Sequence, residues 1–432
     1  MRSKLSCNNE VNAQRDNHYD IVIAGGGMVG SSLALALAPL GLRVAIVEAV
    51  RRSAETQPSF DDRSTALSRS TQRMFEAMGL WDEIVAGATP ITSIHVSDKG
   101  RFGFSHIDAR EQGVEALGYV VINRVLGNVL QAGLGDVDAL DILCPARIVD
   151  ARLAPDQAIV TIEAGDEPQR ELTCDLLVAA DGANSATRTM IGITATQVAY
   201  EQRAVIGNLL PEKSLHNRAY ERFTEDGPLA ILPVAEGRAG FVWNVPERDA
   251  GRVLGLGDDE FLAELQQAFG NRLGTFSRVG KRASYPLVLS KALRLTAQRA
   301  VLVGNSAHGL HPAAAQGLNL GLRDVAALCD CIADVCRETS ELSFTTAESL
   351  DIGVASVLAR YSSWRRHDQK KLVGFTDTLV RLFGDSRGPV RTLRNIGMLG
   401  FDLIPGVRSL FAKHTMGLAG RLPRLSRGVP LS

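Results

Sequence analysis

The sequence predicts an α/β fold in which a parallel sheet is interrupted by an inserted, mostly antiparallel sheet and followed by a helical C-terminus. A strand, glycine turn, helix and strand occupy residues 19–48, and apolar runs typical of buried parallel strands recur at 176–180 and 299–303. Between these runs, residues 204–289 alternate in short segments separated by Gly, Pro and charged turns. The 432 residues exceed one typical hydrophobic core, so two or more lobes are expected.

The glycine-rich stretch near the N-terminus is the strongest functional signal. Gly25, Gly27 and Gly30 form a G-x-G-x-x-G turn that includes Val29, and Glu48 lies at the tip of the following strand. These glycines let the backbone approach a pyrophosphate, and the helix N-terminus offers it free amides. A carboxylate at position 48 can accept hydrogen bonds from ribose hydroxyls. The pattern predicts a dinucleotide site, with a glycine-rich turn that binds nothing as the alternative.

A second strand–turn–helix motif lies in the middle of the chain. An apolar strand runs into Asp181 and Gly182, and Ser185 is placed to cap a helix that includes Arg188. Gly182 permits a sharp turn at this point. Taken alone, the motif is explained as well by an ordinary capped turn as by ligand binding.

A third motif lies beyond residue 299. A strand ends near Asn305, a loop containing His311 and Pro312 follows, and a helix begins near residue 318. A polar group at 305 can bind a ribityl hydroxyl. Amides at the helix N-terminus can face an electron-rich ring edge, such as the N1 and O2 edge of a flavin. For His311, a loop histidine without chemistry is the favoured alternative.

The charge pattern bounds the partners of the chain. A net charge of −1 and a pI of about 6.7 give no case for nucleic acid binding. Residues 361–432 nevertheless carry thirteen Lys and Arg against four Asp and Glu. A solvated helical surface explains this excess, and contact with anionic lipid headgroups or with an acidic protein is the sharper hypothesis.

Three features of the sequence argue against a metal site, a signal peptide and a membrane-spanning segment. The six cysteines show no metal or redox spacing, so no metal site is predicted. Residues 1–18 are polar and predict a flexible tail, not a signal peptide. No apolar run approaches the roughly 18 residues that span a bilayer. The predicted location is the cytoplasm, with peripheral attachment to the inner face of the membrane as an added hypothesis.

The three motifs, in this order and spacing, resemble those of the group A flavoprotein aromatic hydroxylases, which bind FAD and share the para-hydroxybenzoate hydroxylase fold. The likeness extends from residue 19 to about residue 420. Segments 62–68, 118–124 and 304–324 are similar to one branch in particular, the ubiquinone-biosynthesis hydroxylases. Within that branch, segment 304–324 is most similar to the 2-polyprenyl-6-methoxyphenol hydroxylases.

Two positions depart from the pattern of the wider family. Asn305 stands where Asp is common, and its Oδ1 can still accept a hydrogen bond from the ribityl chain. Ala315 stands where Gly is common, and a positive φ there would cost about 1 kcal/mol with Ala. An Ala-compatible loop is therefore expected, and FAD binding is expected to survive both changes.

The resemblance implies a Rossmann-like FAD-binding domain with an inserted substrate domain built mostly of antiparallel sheet. The expected segments are 19–75, 107–190 and 285–345 for the FAD-binding domain, 76–106 and 191–284 for the substrate domain, 346–432 for the C-terminal helical region, and 1–18 for the tail. Within the first segment, residues 64–78 have the apolar spacing of a helix and predict one there.

The resemblance also implies the residues of the cofactor site. The glycine turn and Glu48 would hold the ADP half of FAD, Arg63 and Arg124 would approach the pyrophosphate, and residues 316–319 would line the isoalloxazine. The cofactor-binding set is Gly25, Gly27, Val29, Gly30, Glu48, Arg63, Arg124, Asp181, Gly182, Asn305, Gln316, Gly317, Leu318 and Asn319. Pro312 would lie beside flavin C4a, and His311 next to it is the second candidate catalytic residue.

The substrate wall is expected from the inserted sheet. Phe223, Leu232, Phe241 and Trp243 are its candidate residues, because they are large apolar side chains on the alternating segments. The same four residues are also explained as ordinary core.

The implied reaction is hydroxylation of a polyprenylated phenol in ubiquinone biosynthesis. NAD(P)H would reduce the flavin, and O2 would add at C4a to give the hydroperoxide that transfers OH to the ring. A membrane surface or a ubiquinone-biosynthesis protein assembly is the further candidate partner. The alternatives are a hydroxylase for another ring position or another aromatic substrate, a halogenase or prenyl reductase, and a non-catalytic flavin-binding scaffold.

Overall fold

Three β-sheets organise the part of the protein that the structure describes. The computed structural model describes residues 17–51, 63–99, 104–309, 317–342, 350–384 and 411–431. We refer to the sheets as the parallel sheet, the large antiparallel sheet and the small sheet. The predicted N-terminal tail lies outside the described residues up to residue 16, as does the C-terminal segment 385–410.

The parallel sheet contains the glycine-rich turn. Residues 21–24 pair in parallel with 44–47 on one side and with 176–179 on the other, and 177–179 pair in parallel with 300–302. Parallel strands end at one edge of a sheet, so the loops that follow them meet there. Its strands are His18–Ala24, Val44–Val47, Leu140–Leu143, Arg147–Leu153, Ala158–Glu163, Arg170–Ala179, Thr296–Ala297 and Ala300–Leu302.

Helices rich in Ala and Leu cover the parallel sheet. Met28–Leu37 packs against both Asn123–Gly135 and Gly317–Leu342, and the apolar side chains of all three helices join the core of this lobe. The long helix, Ala355–Gly384, packs against Gly317–Leu342. The hydroxyl of its buried Tyr361 donates to Leu302 O over 2.8 Å, which attaches the long helix to a central strand.

The large antiparallel sheet forms the second lobe. Two helices, Glu247–Gly255 and Asp258–Phe269, cover one of its faces and enclose a second hydrophobic core. The opposite face, which we call the inner face, is turned towards the first lobe. The strands are Ser93–Asp98, Phe104–Asp108, Ala195–Pro211, Arg218–Thr224, Gly227–Pro233, Ala239–Pro246, Phe276–Val279, Ala283–Ala292 and His308–Gly309.

The small sheet joins the two lobes. Its strands are Ser64–Ser68, Ala88–Ile91 and Gly118–Ile122. Ile91 and Val120 pack in one apolar cluster with Ala219 and Val234 of the large sheet. Gly240 lies so close that a Cβ there would be 2.6 Å from Ser64 Oγ. The contact therefore holds the inner face at a fixed distance from the first lobe.

The predicted α/β class, with a parallel lobe and an antiparallel lobe, is confirmed. The predicted helix over 64–78 is wrong in its first part, because Ser64–Ser68 pairs with Gly118–Ile122 as a strand and the helix occupies Arg69–Ala77. Two further helices among the described residues are Trp81–Val85 and Ala186–Met190. Among the described helices, none has the length and apolar content to cross a membrane. The domain boundaries stay predictions.

Candidate active site

Three backbone hydrogen bonds bring the sequence motifs together at one edge of the parallel sheet. Gly25 N donates to Val47 O over 2.8 Å, Ala180 N to Ala24 O over 2.8 Å, and Val303 N to Ala179 O over 3.0 Å. Each bond joins the end of one strand to the start of a neighbouring loop. The glycine turn, the Asp181 motif and the Gly304 motif are therefore neighbours in space, although they are far apart in the chain.

The glycine turn excludes side chains at two positions. A Cβ on Gly30 would lie 2.0 Å from Gly25 O, so helix and turn could not approach as they do. Gly25 has a φ of +101°, and a Cβ there would lie 2.8 Å from Ala180 O. The helix that follows has Gly27 as its N-cap, without a side-chain cap and without acidic residues in its first turn. Its amides are thus available to a phosphate.

Glu48 is held in place beside this turn. Its Oε2 accepts a hydrogen bond from Gly26 N over 2.6 Å, and its Oε1 accepts one from Val50 N over 2.8 Å. Each carboxylate oxygen keeps a further lone pair for a ligand hydroxyl. This arrangement fits the predicted grip on a ribose.

Asp181 lies at the edge, and its side chain also stabilises the turn and helix that follow it. Its carboxylate accepts from the Ser185 hydroxyl and, over 3.0 Å, from Thr187 N. Ser185 Oγ in turn accepts from Arg188 N over 2.9 Å and caps the helix Ala186–Met190. Arg188 Nη1 donates to Ser306 O over 2.9 Å, which ties this motif to the third one. The cofactor contacts of Asp181 and Gly182 stay predictions.

The third motif begins with a tight turn at Gly304, where φ is +63°. A Cβ on Gly304 would lie 3.1 Å from Val29, and a Cβ on Gly321 would lie 3.1 Å from Gly304 Cα. The first helix, the turn and the helix Gly317–Leu342 are thus in close contact. Asn305 is exposed at the tip of this turn, where a ligand can reach its amide.

A buried charged cluster anchors this turn, and sequence reasoning missed it. Asp324 Oδ2 accepts from Gly304 N over 3.0 Å and lies 2.6 Å from His308 Nε2, while Arg365 Nε donates to Asp324 Oδ1 over 2.6 Å. Gln369 Nε2 donates to the same Oδ1 over 3.2 Å. Burial alone would raise the pKa of Asp324, but His308 and Arg365 outweigh it and lower that pKa to about 2. The carboxylate therefore stays charged, and links the turn to the long helix.

Asn319 fixes the start of the helix Gly317–Leu342 to the small sheet. Its Oδ1 accepts from Ser68 N and from Thr71 Oγ1, both over 2.8 Å, and its Nδ2 donates to Ala66 O over 2.9 Å. Since these bonds engage the side chain, its place beside a flavin ring would be through the backbone. The contacts predicted for Gly317 and Leu318, at the start of the same helix, stay predictions too.

Arg63 and Arg124 lie near each other, and their predicted approach to the pyrophosphate stays a prediction. Asn123 N donates to Arg63 O over 2.8 Å, which places both arginines at the junction of the small sheet and the helix Asn123–Gly135. Arg124 is exposed. His311, Pro312 and Gln316 lie outside the described residues, so their predicted roles stay predictions.

The four candidate wall residues are not brought together. Phe241 and Trp243 lie on the face covered by helices, where their rings are 5.6 and 5.7 Å from that of Phe261. Leu232 lies on the inner face and packs with the small sheet. Phe223 is buried, and strand alternation places it on the inner face with Leu232. Phe241 and Trp243 are core residues of the second lobe, because residues in odd and even positions of one strand face opposite sides.

The edge as a whole fits the ADP half of a flavin dinucleotide. It offers free helix amides for the pyrophosphate, a fixed carboxylate for the ribose, and a turn too tight for side chains. A family model described as FAD binding domain matches residues 18–352. The chain belongs to this family. FAD is therefore its cofactor, as the sequence predicted.

Relatives with full-length matches refine the assignment. The chain is 36% identical to the ubiquinone hydroxylase UbiL of Rhodospirillum rubrum over 429 residues, which cover 99% of this chain and 96% of the relative. It is 29% identical to the 3-demethoxyubiquinol 3-hydroxylase of Escherichia coli, covering 92% and 98%. The resemblance to FAD-dependent hydroxylases of the ubiquinone-biosynthesis branch is thus confirmed, and the chain is an FAD-dependent monooxygenase of that branch.

Solved structures share the fold at low sequence identity. The p-nitrophenol 4-monooxygenase PnpA of Pseudomonas putida superposes with a TM-score of 0.76 at 20% identity, covering 94% of this chain and 99% of PnpA. The Diels-Alderase PyrE3 superposes with a TM-score of 0.71 at 21% identity, covering 94% and 82%. These two names describe different reactions, so the fold alone does not decide the chemistry.

Proposed function

We propose that this chain hydroxylates the ring of a polyprenylated methoxyphenol in ubiquinone biosynthesis, with NAD(P)H as electron donor and O2 as co-substrate. The observation that carries the proposal is the end-to-end match at 36% identity to a ubiquinone hydroxylase. FAD, when bound, supplies the oxygen chemistry. The chain's own residues bind the cofactor, orient the ring and exclude water.

The division of labour follows the two lobes. The edge with Gly25, Glu48 and Asn305 holds the cofactor. The helix start near Gly317 is bonded through Asn319 to the small sheet, which packs against the inner face. The inner face of the large sheet, opposite its helix-covered core, supplies the wall for an aromatic ring. A substrate bound there is enclosed between the lobes, which limits the access of water to the reaction.

A peripheral membrane position suits a substrate with a polyprenyl tail, and the basic C-terminal region is its proposed source. Two of its arginines point inwards. Arg365 is buried against Asp324, and Arg424 Nε donates to Asp330 Oδ1 over 2.9 Å. A lipid-facing basic surface would therefore have to use the other Lys and Arg of residues 361–432. Co-sedimentation with anionic, but not zwitterionic, vesicles would support this position on the inner leaflet, and retention in the supernatant with both would contradict it.

A second candidate is hydroxylation at another position of the same ring. The Escherichia coli relative supports it, because its name specifies the 3-position of a demethoxyubiquinol. A soluble aromatic substrate is less favoured, since the half-buried side chains across the inner face are mostly apolar.

The proposal is tested with the purified FAD-loaded protein. A short-chain prenyl methoxyphenol should accelerate NAD(P)H oxidation and be recovered with one added oxygen atom, whose position NMR would assign. A soluble hydroxybenzoate is the matched control and should leave the rate unchanged. A protein that lacks bound flavin, or that oxidises NAD(P)H equally with and without the phenol, would overturn the proposal. Deletion of the gene in a quinone-making host should cause one prenylphenol to accumulate.

A further inference from the structure

The inner face of the large sheet carries one carboxyl group in an otherwise apolar row. Strand pairing places Glu221 beside Val96 on one side and beside Ala230 on the other, and Ala230 beside Val242. Paired residues of adjacent strands project to the same side. We call these four residues the inner row. All four are half-buried, whereas the residues that alternate with them pack in the helix-covered core or at its rim.

The inner row lies next to the contact between the lobes. Two residues before Glu221, Ala219 packs with the small sheet, as does Leu232, two residues after Ala230. The small sheet is bonded to Asn319 at the start of the helix Gly317–Leu342. We call the edge of the parallel sheet that carries the three motifs the flavin-binding edge. The inner row is thus connected to this edge through a short series of direct contacts.

Other elements close the space in front of the row. The long helix contacts both the strand Arg218–Thr224 and the neighbouring strand Gly227–Pro233. Ile94, on the strand next to Glu221, packs with Ala412 and Met416 from the end of the chain. The row is therefore covered on several sides, yet its four side chains remain partly accessible to solvent.

Glu221 has no ion pair or hydrogen bond to any described residue. A carboxyl group in such a position is unusual, because burial without a partner disfavours its charged form. Burial raises the pKa of Glu221 to about 7. A carboxyl with that pKa is partly ionised near neutral pH and is well suited to accept a proton.

We propose that Glu221 is a catalytic residue of the substrate site, where its carboxylate binds the phenolic hydroxyl and accepts its proton. The assignment rests on the proposed function, because it requires a phenol as substrate. In this step the phenolic O–H bond breaks, an Oε–H bond forms on Glu221, and the electron pair stays on the phenolate oxygen. The phenolate ring is more electron-rich than the phenol and attacks an electrophilic oxygen more readily.

The arrangement also accounts for selection of the substrate. An apolar row with a single acceptor binds an apolar ring at any position, but it orients a ring with a free hydroxyl in one way. A buried acceptor left without a donor is costly, so ethers of the same phenol should be rejected strongly.

The test compares Glu221→Gln with the wild type and with Glu225→Gln, whose acid lies in the exposed turn four residues later. Calorimetry measures the affinity of the FAD-loaded proteins for a prenyl methoxyphenol and for its O-methyl ether. The wild type and Glu225→Gln should prefer the free phenol by about 100-fold or more. Glu221→Gln should lose most of that preference. Its kcat should fall by about 10²- to 10⁴-fold with unchanged flavin content.

Glu221→Asp keeps the charge on a shorter side chain. It is the control that separates loss of the carboxylate from a folding defect of Glu221→Gln. It should retain the preference for the free phenol with a reduced kcat. If the wild type responds to the phenol and Glu221→Gln responds equally, in affinity and in kcat, the role of Glu221 is overturned while the proposed function stands. If the wild type ignores both the phenol and its ether, the proposed function fails and the assignment fails with it.

Discussion

The flavin-binding edge and the inner face of the large sheet are built in opposite ways. The edge consists of backbone turns, and its geometry depends on the absence of side chains at Gly25 and Gly30. The inner face consists of side chains from separate strands, and the four residues of its inner row come from four different strands. A site made of turns leaves a contiguous motif in the sequence, whereas a site made of a sheet face leaves single residues scattered over more than one hundred positions.

The two regions also treat charge differently. The edge surrounds its buried Asp324 with donors from His308, Arg365 and Gln369. The inner face leaves Glu221 without a described partner. A satisfied buried charge stabilises one geometry, and an unsatisfied one is available to a ligand. The following predictions test this contrast, beginning with the largest expected effect.

Gly30→Ala should abolish the flavin-loaded, folded protein. The added Cβ would lie 2.0 Å from Gly25 O, and a backbone atom in a packed turn cannot retreat far enough. Flavin absorbance per mole of protein and thermal unfolding measure the loss. Gly251→Ala, where a Cβ meets open space in the helix Glu247–Gly255, is the matched control. It should be neutral or stabilise the protein by about 0.5–1 kcal/mol.

Arg365→Met should lower the free energy of unfolding by about 3–5 kcal/mol, because it leaves Asp324 charged and buried with one donor fewer. This destabilisation should have its full size above about pH 4. It should shrink as the pH falls towards 2, since Asp324 has a pKa lowered to about 2 when folded and about 3.9 when unfolded. Urea unfolding at several pH values measures it. The exposed neighbour Arg366→Met should change stability by no more than about 0.5 kcal/mol, and an equal loss there would contradict the role of the cluster.

Phe241→Ala and Leu232→Ala should separate the two faces of the large sheet. Phe241 is in the helix-covered core, so its truncation should cost about 3–5 kcal/mol of stability and leave the KM for the phenol unchanged. Leu232 is half-buried on the inner face, so its truncation should cost about half as much or less and raise the KM. Steady-state kinetics and chemical unfolding of both variants give the comparison. The reverse pattern would mean that the substrate binds on the other face.

Glu221→Gln should stabilise the protein at pH 8 and not at pH 4.5, an effect of opposite sign to that at Asp324. The raised pKa means that the folded wild type holds a proton that the unfolded chain releases, so its stability falls between about pH 4.5 and 7. Gln removes this penalty. The strand Gly227–Pro233 carries no ionisable group, and on Ser93–Asp98 the nearest ones in register are His95, one position from Glu221 and facing the other side, and Asp98, two positions away. The difference in melting temperature between Glu225→Gln and the wild type should stay constant across this range, because that variant keeps Glu221. A Glu221→Gln variant less stable than the wild type at pH 8 would show that the carboxylate is paired.

Much of the edge could be predicted from the sequence, because each requirement is local. A strand that runs into G-x-G-x-x-G and an acid at the tip of the next strand need only short-range geometry to be recognised. The anchor of the third turn could not be predicted, since Arg365 lies in a helix without a motif, forty-one residues beyond Asp324. Only the packing of the long helix on the parallel sheet brings the two together.

The small sheet and the second lobe show where sequence patterns mislead. Segment 64–68 has helical spacing but forms a strand, because pairing with Gly118–Ile122 satisfies its backbone and outweighs a weak local preference. Phe241 and Trp243 were candidates for the substrate wall because they are large and apolar. Alternation along one strand instead places them under the helices. Composition cannot tell the face of a sheet that contacts helices from the face that contacts a ligand.

The sequence by itself determined the α/β class and a glycine turn of the kind that binds a dinucleotide, because these depend on steric limits within a few consecutive residues. The likeness of its three motifs to a family of FAD-dependent hydroxylases indicated which dinucleotide is bound. The tertiary structure alone decided which face of the large sheet is covered by its two helices, which partners neutralise Asp324, and that Glu221 lies in an apolar row near the flavin-binding edge. These depend on the pairing of distant strands and on the helices that cover them. Burial and the absence of a partner are properties of that packing, and they set the chemistry of a carboxyl group.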